Sequence, residues 1–180
     1  MKKTITAVFL ILVLCLTGGI ACRSALRAVY PHKYEDSVEK YSAQYGVDKN
    51  LIYAVICTES SFRTDASSEV GAAGLMQIMP ETFEWLCMRM GEDAEFYELY
   101  DPDTAIRFGT YLLHLLTEEF GDVRTVLAAY HAGRGQVARW LGDASVSPDG
   151  KTLAKIPYSD TAHYVRKVER AISMYQNLYA

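Results

Sequence analysis

A chain of 180 residues, half of them hydrophobic, is long enough for one domain with a real core plus a short appendage, which excludes a disordered or disulfide-dense protein. Charge is divided unevenly: residues 1–34 carry Lys2, Lys3, Arg23, Arg27 and Lys33 and no acid, whereas the remainder holds 13 basic against 22 acidic residues. That acidic body, formally −9, lacks the basic footprint needed to neutralise phosphates and argues against a nucleic-acid partner.

Lys2 and Lys3 precede an apolar run from Thr4 to Cys22, close to the roughly 20 residues that a membrane helix requires. The run also fits a signal peptide with a long apolar region, and Gly19-Ile20-Ala21 offers small residues for cleavage. Cys22 stands where a lipoprotein signal has its cysteine, but Gly19 replaces the usual leucine. A retained anchor is preferred, because the apolar length suffices and charges flank both ends. Residues 1–30 are thus read as a signal segment or membrane anchor with a short connector, and residues 31–180 as an extracytoplasmic body.

In the body, Glu35 and Asp36 suit the first turn of a helix whose apolar face is Val38, Tyr41 and Tyr45, with Gly46 as its cap. Asp48 is placed as the N-cap of a second helix ending near Glu59 and Ser60. From Ser61 to Gly74 the pattern turns small and polar, predicting a loop or minimal hairpin. Met79-Pro80 starts a helix that Gly91 ends, and residues 91–102 read as a second loop. The next helix, from about Asp103 to Gly121, is apolar around so much of its circumference that others must surround it. Short helices follow at Val123–His131 and around Val137, Trp140 and Leu141; Ser145 to Lys155 reads as an exposed loop. The last helix runs from about Thr161. No strand of ordinary length is predicted, so the fold class is all-α, or α with a minimal β-hairpin, with a groove between helices as its natural binding site.

Three spots break plain helix packing. Glu59 falls four residues after Val55 and seven after Ile52, on the apolar stripe, with only Arg63 nearby in sequence. A carboxylate so placed is mispaired, salt-bridged, or raised in pKa for proton transfer. Gln77 interrupts an apolar run, and Ala129-Tyr130-His131-Ala132-Gly133 closes a helix; Tyr164, where a polar approach meets an apolar helix, is a fourth. Singly each has a bland explanation: Gln77 capping a backbone group, Tyr130 and Tyr164 as core aromatics, His131 as a satisfied core histidine. Cys57 and Cys87 match no metal motif and the four histidines form no paired arrangement, so no metal and no cofactor are expected.

Taken together and in order, the glutamate-serine pair Glu59-Ser60, the G-L-M-Q-x-M-P block from Gly74 to Pro80, the block from Ala129 to Gly133 and the late pair Tyr164-Val165 resemble the catalytic domain of the soluble, goose-lysozyme-like lytic transglycosylases. The resemblance spans about Tyr34 to Tyr179. It implies a lysozyme-like globule and non-hydrolytic cleavage of peptidoglycan between N-acetylmuramic acid and N-acetylglucosamine, giving a 1,6-anhydro product. Carried over by position, Glu59 resembles the catalytic acid and base, and Ser68, Gln77, Tyr130 and Tyr164 match groove positions; Ser60 supports the acid. His131 stands where the family usually has asparagine and is kept as a site-lining residue; Asp160 replaces a frequent glutamate. Peptidoglycan glycan strands are the implied partner, with the membrane through the N-terminal segment. Two other readings stay open: a hydrolytic muramidase pairing Glu59 with Asp65, and a peptidoglycan-binding protein that does not cut.

Overall fold

The computed structural model describes residues 2–179, with side chains from Leu16 onward. Its elements are α1 (Lys2–Val29), α2 (Glu35–Tyr45), α3 (Lys49–Glu59), α4 (Pro80–Met90), a 3-10 turn (Phe96–Tyr100), α5 (Pro102–Phe120), α6 (Val123–Ala132), α7 (Arg134–Leu141) and α8 (Ser159–Tyr179).

Helix starts are set by side chains at their first turns, Asp48 as expected. Asp48 accepts from the Asn50 N–H, Asp101 from Thr104 and Asp122 from Thr125, each satisfying a donor that the first turn leaves without a partner. Pro80 and Pro102 occupy first-turn positions where no N–H is missed. Gly46 and Gly91 end α2 and α4 in the left-handed conformation.

Two helices lie at the centre. On α3 the six consecutive residues Leu51 to Ile56 are all buried, and on α5 Ala105, Ile106, Phe108, Leu112, Leu113 and Leu116 are. A helix apolar on all sides needs neighbours on all sides. Accordingly α3 packs on α8 and α2, and α6 bridges α5 and α8 while also carrying α7.

Among the described residues there is no strand; Ala73 forms isolated antiparallel bridges with Ser67 and Ile78, which is all that remains of the expected hairpin. The predicted loop of residues 91–102 contains the 3-10 turn, held by a reciprocal cap between Glu95 and Glu98. The last helix begins at Ser159, two residues before the expected Thr161.

Helix α1 continues through Gly18 and Gly19 to Val29, beyond the end of the apolar run at Cys22. Among the described residues no helix is long and apolar enough to cross a membrane; most of the expected anchor, residues 4–15, lies outside the described side chains. The connector is tied down. Tyr179 Oη donates to the Tyr30 carbonyl at 2.8 Å, Tyr175 Oη to that of Pro31 at 3.3 Å, and Arg23 and Arg27 donate to the Leu178 carbonyl at 2.8 and 3.2 Å.

Candidate active site

Glu59 is the last residue of α3, partly exposed where the helix stops. The buried Ser60 hydroxyl donates back to the Ile56 carbonyl at 3.2 Å. Ser61 and Phe62 follow at φ 51° and 61°. Two successive non-glycine residues in the left-handed region are costly. Here they turn the chain sharply, returning Phe62 to the core and leaving Glu59 at the rim.

The segment after Gly74 forms a second wall. Gly74 has φ 75° and its α-carbon lies so near the Leu99 carbonyl that a Cβ would come within 2.0 Å of the oxygen. Met76 is fully buried against Gly109 of α5, where a Cβ would meet its sulfur at 2.2 Å. Gln77, at φ 48°, donates its side-chain amide to the carbonyls of Ala66 and Gly74, both at 3.0 Å. The amide therefore closes the loop on itself, the bland role anticipated for it. Ser68 is likewise engaged locally: its hydroxyl accepts from the Ala72 N–H at 2.9 Å.

Tyr130, from α6, donates its hydroxyl to the Met76 carbonyl at 2.7 Å, joining the third wall to the second. Tyr164, from α8, is buried; its hydroxyl approaches the Glu59 carboxyl without reaching hydrogen-bond geometry to any group among the described residues. His131 lies exposed beside it, ring centroids 4.5 Å apart, with Nδ1 at 3.2 Å from the Thr161 hydroxyl. Glu59, Tyr130, Tyr164 and His131 are thus neighbours, whereas Asp65 is exposed on the loop beyond Arg63.

The electrostatics follow from this packing. Burial pushes the Glu59 carboxyl up from its ordinary 4.5 to about 7, against the opposing pull of the Tyr164 hydroxyl and the Lys167 charge. Burial and the nearby Glu59 charge hold the Tyr130 and Tyr164 phenols well above their ordinary range, so both remain hydrogen-bond donors. Partial burial lowers His131, with Asp160 opposing. Such an array can lend a proton near neutral pH and take it back.

From Tyr130 a cleft of about 290 Å³ runs between Trp85 of α4, Leu112 and Leu116 of α5, and Arg134 of α7. A second, of about 420 Å³, continues from the shared Trp85 and Arg134 toward Arg89 and Glu118. Among the described residues no three His, Cys, Asp or Glu side chains gather as a metal site, and Cys57 and Cys87 are unpaired.

Sequence reasoning missed Lys167, whose Nζ donates to the Thr58 carbonyl at 3.2 Å, and the Met76 carbonyl. A signal for Lys167 was available in its position three residues after Tyr164, on the same face of α8. A main-chain acceptor carries no such signal.

A family model described as Transglycosylase SLT domain matches residues 36–152. The chain is 34% identical over 143 residues to the soluble lytic murein transglycosylase of Escherichia coli K12, covering 77% of this chain but 22% of that protein. It is 33% identical over 169 residues to the membrane-bound lytic murein transglycosylase C of Serratia proteamaculans, covering 81% of this chain and 47% of that protein. Among solved structures, the 70 kDa soluble lytic transglycosylase of Escherichia coli superposes with a TM-score of 0.74 at 31% identity over 84% of this chain and 25% of that one. An inactive glutamate-to-glutamine mutant of the lytic transglycosylase Slt of Pseudomonas aeruginosa gives 0.71 at 31% identity, over 83% of this chain and 25% of that one. The chain therefore spans about a fifth to a half of the length of these curated relatives.

Proposed function

The chain belongs to the transglycosylase SLT domain family, and from that membership we propose that it is a peptidoglycan lytic transglycosylase with Glu59 as its acid and base. The observation that carries the reading is a single carboxyl held near neutrality at the end of α3, with only Tyr164 and Lys167 opposing the effect of burial. Among the described residues no other carboxylate contributes to the Glu59 shift, and Asp65, the hydrolytic candidate, is exposed on the loop.

Glu59 gives its proton to the glycosidic oxygen as the bond from that oxygen to C1 of N-acetylmuramic acid breaks. The substrate's own N-acetyl group supports the electron-poor C1. The Glu59 carboxylate then takes the proton of the muramic 6-hydroxyl, whose oxygen closes on C1 to give the 1,6-anhydro ring, so no water is consumed. Tyr130 and Tyr164 supply neutral hydroxyls toward the sugar at the acid, His131 lines the same face, and Ser68 and Gln77 shape the loop over the groove. The inactive glutamate-to-glutamine mutant in a related structure supports an essential glutamate.

The body, residues 31–180, holds this catalytic domain outside the cytoplasm, and residues 4–22 are its anchor or signal. A membrane-bound relative supports attachment. Mass spectrometry of muropeptides released by the purified protein tests the activity: anhydro-sugars support it, and products one water heavier point instead to hydrolysis with Asp65. N-terminal sequencing of the membrane and soluble fractions decides whether residues 1–30 are retained.

A further inference from the structure

Glu59 occupies the electrostatically least favourable place on its helix. The last turn of α3 presents carbonyls without intrahelical partners and the negative end of the helix dipole, which disfavours a carboxylate and favours a cation. Lys167 reaches that turn from α8. Its ammonium donates to the Thr58 carbonyl at 3.2 Å, one residue before the acid, yet it forms no ion pair with Glu59 within 4.0 Å among the described residues. Three residues earlier on α8, Tyr164 faces the same carboxyl. The elements around Glu59 thus offer it two phenols, Tyr130 from α6 and Tyr164 from α8, and one cation, Lys167.

We propose that Lys167 is a positioning residue for the acid: tied to the last turn of α3, it holds Glu59 in place and stabilises the carboxylate that forms when the glycosidic oxygen takes the proton. The proposal rests on the transglycosylase reading of Glu59. Geometry divides the task. A direct ion pair would fix the carboxylate and leave a poor proton donor, whereas an ammonium held on Thr58 acts across a gap. The carboxyl stays protonated near neutrality, and its anion still finds a cation near once the proton has left. As Glu59 next acts as base, the same distance keeps it free to approach the 6-hydroxyl. Burial of Glu59 is opposed by the Tyr164 hydroxyl and by the charge of Lys167, and the acid titrates where the three balance.

The test is a titration of the full chain carrying Lys167→Met, in a His131→Asn background so that the imidazole does not overlap. The Glu59 midpoint is read by NMR of carbon-13-labelled glutamate carboxyls. The expected result is a midpoint above that of the parent and an alkaline limb of kcat displaced the same way, with KM unchanged and both effects reversed in Lys167→Arg. An unmoved midpoint beside a lowered melting temperature overturns the proposal and leaves Lys167 as a helix cap only. Should Lys167→Met fail to fold, added salt on the parent serves instead. Screening of the exposed ammonium raises the midpoint if Lys167 acts as argued, and a salt-independent midpoint overturns it. Because the midpoint is read without substrate, its displacement in a protein that releases no anhydro-sugar supports the electrostatic tie and removes the functional reading instead.

Discussion

Tyr130 donates its hydroxyl to the Met76 carbonyl at 2.7 Å, while the Tyr164 hydroxyl, buried near the same acid, has no such partner among the described residues. The two phenols therefore differ in what their removal should do. Tyr130→Phe leaves the Met76 carbonyl without its donor, at a cost of roughly 1–3 kcal/mol, and frees the loop wall from α6. Chemical denaturation should show that loss, with a fall in kcat of about tenfold. Tyr164→Phe deletes a group whose burial is already uncompensated, so stability should stay within about 0.5 kcal/mol or rise. Its effect should appear in the pH profile: without the hydroxyl that opposes burial, the alkaline limb governed by Glu59 moves upward. Equal stability losses in the two variants would count against this division.

The raised Glu59 carboxyl also makes a stability prediction. Below pH 4.5 it is protonated both folded and unfolded and has no effect. Between 4.5 and about 7 the unfolded chain ionises first, so folding stability falls as pH rises; above about 7 both states are ionised and the loss levels off. A displacement of that size is worth on the order of 3 kcal/mol at most. Glu59→Gln should therefore abolish lysis and, compared with wild type, gain melting temperature as pH rises from 5 to 8. Parallel melting curves for the two proteins across that range would remove the raised carboxyl, and with it the proton donor.

For His131 the sign is opposite. Its ring is held below the ordinary 6.5 by partial burial, so it takes up its proton in more acid solution than a free imidazole. A charged imidazole 4.5 Å from the Tyr164 ring alters the hydroxyl that faces Glu59. Activity should fall on the acid side as His131 protonates, and His131→Asn should flatten that limb without moving the alkaline one. An acid limb unchanged by the substitution would show that another group is responsible.

How far the site could be read in advance depended on whether the partners were local. Asp48, Pro80, Asp101-Pro102 and the capping glycines act on their own turns, so the bounds of α3, α4, α5 and α8 were legible to within two residues, whereas α1 overran its apolar run to Val29. Glu59 stood out because its own helix makes it anomalous. The contacts that place it were not legible: Tyr130 meets a carbonyl 54 residues away, and Lys167 one 109 residues away. A main-chain acceptor is the same for every residue type and leaves no mark in composition or period. Gln77 shows the reverse error, since a polar residue in an apolar run reads equally as a ligand contact or as a buried cap.

That ambiguity can be resolved by experiment. Gln77→Ala removes the side-chain donor from the Ala66 and Gly74 carbonyls, which keep the Gly74 and Gln77 backbone N–H groups as partners; if closing the loop is the main role, stability drops by about 0.5–1.5 kcal/mol per bond lost. Limited proteolysis between residues 61 and 79 should then accelerate. A rise in KM with no change in melting temperature or proteolysis would instead assign Gln77 to the sugar.

The packing of Met76 against Gly109 links the core to the acid through one carbonyl. A Cβ at residue 109 would lie 2.2 Å from the Met76 sulfur and 2.9 Å from its Cβ, so Gly109→Ala must push the segment away from α5. Overpacking of this kind costs about 1–3 kcal/mol. Its more telling effect is on the Met76 carbonyl, because any shift there lengthens the Tyr130 hydrogen bond. Gly109→Ala and Tyr130→Phe should therefore be less than additive in kcat: once the segment has moved, removal of the hydroxyl has little left to break. Two alanine or phenylalanine substitutions that do not touch each other would otherwise add. A double variant whose loss in kcat is the product of the two single losses would show that Gly109 acts on folding alone and that the Met76 carbonyl is not the link between core and acid.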